Sequence, residues 1–459
     1  MTVRLKEKMA DLRRRYLSTG ITMIVLAAIT GTCAGVGAWF LKFSIRHISV
    51  WCFNLLKTEG YSIYIVLAPL CAIVIAGIYQ RYIARADLEH GTQRISEALA
   101  QHRYRMPVSA VYQPVIGSII TLGLGGSAGA EGPIAAAGAA MGSNVARLFG
   151  VGPRMIATMI GCGAGAGIAG IFKSPVGGVL FALEVLRMPM RTLPVLALFV
   201  ASVCGSMTCY ALTGFSFDVT FLPDSLFTPR KFAWVVALGA FCGVYSVYYN
   251  RMTALLHRLF GKMRNPWLRN VSGGITVGLC LLLFPTMYGE GYDTVTALIN
   301  NRYEEFLTGS PFAAYNTGIV SLIIFGCAVL ALKVFATIAT NSAGGVAGDF
   351  APTMFAGAFA GMVFALGANY FFNAQLPPGL YALYGMAAAF AGIIHAPLMS
   401  IFLVAEMVGN GYGYILPLMI ASVVSYLTMK ILTPKSKYAN ADHDDIDALL
   451  HTPELKKGA

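Results

Sequence analysis

Charge is scarce in this chain. Only 12% of its 459 residues are Asp, Glu, Lys or Arg, while 57% are hydrophobic, and the mean hydropathy is +0.67. A water-soluble globule of that composition would have nowhere to put its apolar surface, so a polytopic membrane protein is expected. The nine cysteines form no CxxC and no His/Cys cluster, which argues against a disulfide framework and against a zinc site and leaves them as packing residues. Absent too are GxxxxGK[ST], a strand-associated GxGxxG and HExxH. ATP-driven transport, dinucleotide chemistry and zinc proteolysis therefore lack their marks, and no cofactor or metal is expected.

The few charges are informative by position. Between Met106 and Lys173 the only ones are Glu131, Arg147 and Arg154, in a stretch long enough for about three spans of roughly 20 residues each. Glu131 is thus nearly alone in the membrane. The first apolar run, about Ile21 to Leu41, is too long for a signal-peptide core and reads as a retained helix. Before it, residues 1–17 carry Arg4, Lys6, Lys8, Arg13, Arg14 and Arg15 against Glu7 and Asp11, an amphipathic basic helix suited to an anionic cytoplasmic leaflet. The connector with Arg251, Arg258, Lys262, Arg264 and Arg269 has no acids, whereas Glu290, Asp293, Glu304 and Glu305 cluster around Arg302. The first is expected in the cytoplasm and the second outside. The net charge of +12 follows this topology and implies a lipid bilayer as partner, not nucleic acid. Asp442, His443, Asp444, Asp445 and Asp447 read as a solvated acidic tail rather than a metal site.

Glycine is plentiful, 50 in all, and its placement repeats. Gly129-Ala130-Glu131-Gly132-Pro133, followed by Gly138 and Gly142, returns about 220 residues later as Gly348-Asp349-Phe350-Ala351-Pro352, followed by Gly357 and Gly361. Ala169-Gly170-Ile171 with Pro175 and Glu184 returns as Ala391-Gly392-Ile393 with Pro397 and Glu406. Two similar halves meeting at a shared site are expected, at 18–230 and 231–433, with a short cytoplasmic tail over 434–459. Proline fits the first turn of a helix, so both Gly-x-x-x-Pro segments read as helix starts inside the membrane. Two such starts from opposite halves would aim backbone N–H groups and positive dipole ends at one point, an anion site with no buried cation.

At these residues the chain resembles the CLC family of chloride channels and chloride/proton exchangers, over nearly the whole membrane region. Glu131 matches the gating glutamate of the family motif GREGP, with Ala130 in place of its arginine, and Gly348 to Pro352 matches GxFxP. Tyr438 is similar to the tyrosine whose hydroxyl lines the inner side of the central anion site, and Leu255-Leu256-His257-Arg258 is similar to a connector of bacterial members. The GSGIP motif is represented by Glu89-His90-Gly91-Thr92-Gln93, where His90 replaces serine; its imidazole can donate to an anion or simply bond a carbonyl near the inner vestibule. The resemblance implies an all-α, inverted-repeat fold with broken and re-entrant helices, without the C-terminal regulatory domains of some relatives. It further implies a homodimer with one pore per subunit, multi-pass in the plasma (inner) membrane with both termini cytoplasmic. It places anion contacts at Gly348, Asp349, Phe350, Gly132, Tyr438 and His90, the Asp349 side chain being expected to turn away from the ion.

Glu184 and Glu406 occupy equivalent places in the two halves and are read as structural, but the counterpart of Glu131 is Phe350. That asymmetry suits a gate: an ionised Glu131 imitates chloride at the helix starts, and its protonation frees it to swing away and to carry a proton. The inner glutamate that relays protons in many exchangers falls on Val185, which leans the reading towards channel-like flow, although some exchangers manage without it. Fluoride or nitrate in place of chloride stays open. A carrier of a larger organic anion would need an Arg or polar pocket that these motifs lack, and an enzyme is not expected, since Glu131 has no acidic partner in its own segment.

Overall fold

The computed structural model describes residues 18–58, 64–88, 91–215, 219, 231–307, 309–312 and 318–433. The basic segment 1–17, His90, Tyr438 and the tail from 434 lie outside the described residues. In chain order the helices are α1 (Thr19–Thr58), α2 (Tyr64–Ile78), α3 (Gly91–Ala100), α4 (Ser109–Gly123), α5 (Glu131–Leu148), α6 (Pro153–Phe172), α7 (Pro175–Leu180) and α8 (Thr192–Leu212). They continue with α9 (Phe232–Gly261), α10 (Pro266–Leu283), α11 (Tyr292–Ile299), α12 (Tyr303–Leu307), α13 (Ile319–Ser342), α14 (Phe350–Phe372), α15 (Pro378–Ile394), α16 (Pro397–Met407) and α17 (Ile415–Leu432). Extended pairing among the described residues is confined to two isolated bridges, Gly129 with Gly348 and Val219 with Val408.

Eight segments among the described residues are long and apolar enough to cross a membrane, the first spanning Thr19–Cys52. That helix outruns the expected Ile21 to Leu41 because no Gly or Pro interrupts the chain between Gly37 and Gly60; Lys42 does not end it but donates to the Ile171 carbonyl at 3.1 Å. Four apolar helices are shorter, among them Ser109–Gly123 and Pro397–Met407. A 15-residue helix reaches only about 23 Å, less than the roughly 30 Å hydrocarbon core, so such helices must stop within it. The fold is therefore all-helical, multi-pass and built partly from broken helices.

The repeated glycines sit where helices touch. A Cβ on Gly138 would lie 2.1 Å from the Gly163 carbonyl oxygen, and one on Gly163 would lie 1.9 Å from that of Gly138. In the other half Gly357 and Gly385 face each other's carbonyls in the same way, at 2.3 and 2.2 Å. Backbone thus packs on backbone between α5 and α6 and again between α14 and α15, as small residues at GxxxG spacing allow.

The halves also close each other's helix ends. Glu184, in the π-helical turn Phe181–Val185 that follows α7, accepts from the N–H groups of Leu398 (3.2 Å) and Met399 (2.7 Å) in the first turn of α16. Glu406 at the end of α16 accepts from Val176 (3.0 Å) and Gly177 (3.2 Å) in the first turn of α7, and from the hydroxyls of Ser174 and Tyr412. First-turn N–H groups that have no partner within their own helix are satisfied by a carboxylate from the other repeat of the motif, which fits a structural role for both glutamates.

Gly142→Ala would place a Cβ 1.9 Å from the Met159 carbonyl oxygen, whereas nothing lies within 4 Å of one at Gly367. Gly142→Ala is expected to cost about 1–3 kcal/mol and Gly367→Ala to gain about 0.5–1 kcal/mol, which thermal unfolding in detergent will separate.

Candidate functional site

Each half approaches the site through a glycine in the left-handed region, Gly125 at φ +109 and Gly344 at φ +101. After these turns the two strands run antiparallel: Gly129 N–H donates to the Gly348 carbonyl at 2.8 Å, and Gly348 N–H donates to the Gly129 carbonyl at 2.6 Å. Threonines at matching positions hold the flanks, Thr340 Oγ1 accepting from Ser127 N–H (3.2 Å) and Thr121 Oγ1 from Val346 N–H (3.0 Å). Helices α5 and α14 begin two residues beyond the glycine pair, at Glu131 and Phe350, and neither N-cap residue, Ala130 or Asp349, makes a side-chain cap. Pro133 and Pro352 fall in the first turn, where a missing N–H breaks no helical bond. Two positive helix ends therefore converge on one buried region.

A carboxylate of the protein occupies that region. Glu131 is 1% exposed; its Oε1 accepts from the Ala351 N–H of the opposite half at 2.9 Å and from the Tyr292 hydroxyl at 3.4 Å. Its Oε2 has no hydrogen-bond partner among the described residues and lies against Gly129, where a Cβ would come within 1.9 Å of it. A Cβ at 129 would therefore displace the carboxylate from this seat. The neighbouring Ala130 N–H donates to Glu290 Oε1 at 3.2 Å.

The other residues singled out from the sequence are placed as follows. Gly348 commits its N–H to the Gly129 carbonyl, so this expected anion donor is engaged in the inter-half pair. The Asp349 carboxylate accepts from Asn341 of α13. Phe350 is buried, with its ring edge-on to Phe181 (5.9 Å) and Phe390 (5.1 Å). Gly132 is buried against the backbone of Ala347 and Gly348, and Val185 is half-buried in the turn after α7. Three participants had not been picked out. Tyr292 and Glu290 belong to the segment read only as an acidic connector. Lys333, fully buried in α13, donates to Ser127 Oγ at 2.9 Å and stands 4.4 Å from the Phe355 ring centre; a lone lysine inside an apolar span was its signal.

In a multi-pass helical protein, two helix N-termini aimed at one buried point make a site suited to an anion, as in membrane transport proteins built from broken helices. The family described as "Voltage gated chloride channel" matches residues 71–430, and the chain belongs to this family, the CLC family. It is 27% identical over 450 residues to the H(+)/Cl(-) exchange transporter ClcA of Vibrio cholerae, covering 94% of this chain and 92% of that protein. It is 26% identical to the putative chloride channel protein ClcB-like of Ralstonia nicotianae, covering 84% and 87%. Among solved structures, a slow cyanobacterial Cl-/H+ antiporter superposes with a TM-score of 0.78 at 22% identity, over 92% of this chain and 98% of that one. A CLC-type fluoride/proton antiporter gives 0.70, also at 22%, over 88% and 94%.

Gly129→Ala places a methyl group in the volume of the Glu131 carboxylate. The expected result is loss of its seat on Ala351, so that anion efflux from liposomes has nearly equal rates at acid and neutral pH.

Proposed function

We propose that the protein moves chloride across the plasma membrane in exchange for protons, with Glu131 as both gate and proton carrier. The observation that carries this reading is the bond from Ala351 N–H to Glu131 Oε1: a titratable carboxylate stands on a helix start where a halide would be held. While ionised it competes with the anion for that donor. Protonation removes its charge, weakens its hold on the N–H and opens the position, so transport rises as pH falls. The partial charges of the helix ends make the direct contacts to the anion, and the buried amine of Lys333, which the sequence reading did not expect, bonds Ser127 behind them.

Val185 leaned the sequence reading towards uncoupled flow. The family description and the Ralstonia relative carry the word channel, whereas the Vibrio relative is named as an exchange transporter and the solved structures with this fold include proton antiporters; exchange is preferred on the latter. Chloride is preferred to fluoride or nitrate on the name of the Vibrio relative. We further propose a homodimer with a pathway in each subunit, repeats at 18–230 and 231–433, both termini in the cytoplasm, and Glu290 towards the outside.

Glu131→Gln is expected to abolish the pH dependence of maximal chloride flux, measured at saturating chloride in reconstituted protein. In planar bilayers with a fixed chloride gradient, an imposed pH gradient should move the wild-type reversal potential away from the chloride equilibrium value. A reversal potential that stays there would refute exchange and indicate a channel.

A further inference from the structure

Beside the gate lies a cavity of about 480 Å³ whose wall includes Glu290 and Tyr292. The same two residues touch the gate, Tyr292 through Glu131 Oε1 and Glu290 through the Ala130 N–H. Ala130 is the N-cap of α5, so its N–H belongs to the same convergent set of donors as that of Ala351. The carboxylates are therefore crossed: Glu131 of the first half holds an N–H of the second, and Glu290 of the second half holds an N–H of the first. An anion arriving from the cavity meets Glu290 in possession of the Ala130 donor, and residue 130 offers no side-chain charge in compensation.

The charged groups around Glu290 come from four elements. Lys42 and Arg46 of α1 line the same cavity, the Lys42 Nζ 4.9 Å from the Tyr292 ring centre. Asp293 of α11 and Glu305 of α12 line it too, Glu305 being paired with Arg302 at 2.7 Å. Glu131 of α5 is the remaining one. The lining thus holds two basic and three acidic side chains, and Glu290 among them holds a helix-start donor.

We propose that Glu290 is a second acidic gate on the cavity side of Glu131, which withholds the Ala130 N–H from the transported anion when ionised and yields it when protonated. This rests on the anion-transport reading above and deepens it. Protonation at low pH frees the donor and removes a like charge, so the half-saturating chloride concentration at the cavity face falls as pH falls and rises as pH rises.

The test is sided chloride titration in planar bilayers, varying chloride and pH only at the face bearing the cavity. It is made on wild type, Glu131→Gln, Glu290→Gln and Glu290→Asp, and on Glu290→Gln combined with Glu131→Gln. Glu290→Gln is expected to lower the half-saturating chloride concentration at neutral pH by about tenfold, the low end for one competing charge-assisted hydrogen bond. Glu290→Asp, too short to reach Ala130, should free the donor while keeping its charge, and so lower half-saturation by less than Glu290→Gln. In the Glu131→Gln background the pH dependence of half-saturation should persist and vanish only when Glu290→Gln is added. A half-saturation that is independent of pH in Glu131→Gln overturns the proposal even if the Glu290 variants fail to fold, as does a Glu290→Gln profile identical to wild type. Absence of chloride flux in the wild type would instead overturn the transport reading, and this inference with it.

Discussion

The reciprocal pair of backbone hydrogen bonds between Gly129 and Gly348 is the contact on which the rest of the site depends. Away from water every peptide group must find a partner, and here two segments from opposite halves satisfy each other. The pairing leaves each chain a single residue, Ala130 or Asp349, before its helix begins, so the starts of α5 and α14 are brought together by the same bonds. Side chains at these positions would keep the strands apart: a Cβ on Gly348 would lie 2.8 Å from the Gly132 nitrogen. Glycine is dictated by the close approach, and the close approach creates the convergent donors.

Glu131, Glu184 and Glu406 each stand on a helix start contributed by the opposite part of the chain, and how each is held separates scaffold from gate. Glu184 accepts from two backbone N–H groups, and Glu406 from two together with two hydroxyls. Glu131 has one backbone N–H, one distant tyrosine hydroxyl and an unpartnered oxygen. The interaction is the same in kind, a carboxylate on a positive helix end, but the least bonded member is the one able to leave. Phe350, at the matching place in the other half, packs between two aromatic rings and supplies a fixed wall opposite the movable group.

Much of this was legible in the sequence because it is written as spacing. The glycines at 138, 142, 357 and 361 announced close helix contacts, and the Gly-x-x-x-Pro segments announced helix starts within the membrane, since both follow from the local needs of backbone. The equivalence of Glu184 and Glu406 suggested a structural role, yet not that each would cap the other half's helix. Glu290 was visible only as an acidic connector residue, and Tyr292 not at all, because their work depends on contacts with residues some 160 positions away. The length of α1 was underestimated for a different reason: hydropathy dips at Lys42, but helix continuation is decided by backbone hydrogen bonding and the absence of breakers.

By itself the sequence determined that this is a helical membrane protein in which one glycine-proline pattern occurs twice, with a solitary carboxylate beside the first helix start, because composition, periodicity and offset are properties of the chain alone. Only the tertiary structure decided which N–H each carboxylate holds, that Gly348 is engaged with Gly129, and that Glu290 and Lys333 reach the two sides of the Ser127 to Ala130 segment. Those outcomes depend on how two distant halves pack, and a hydrogen bond a few ångströms long is set by that packing, not by position along the chain.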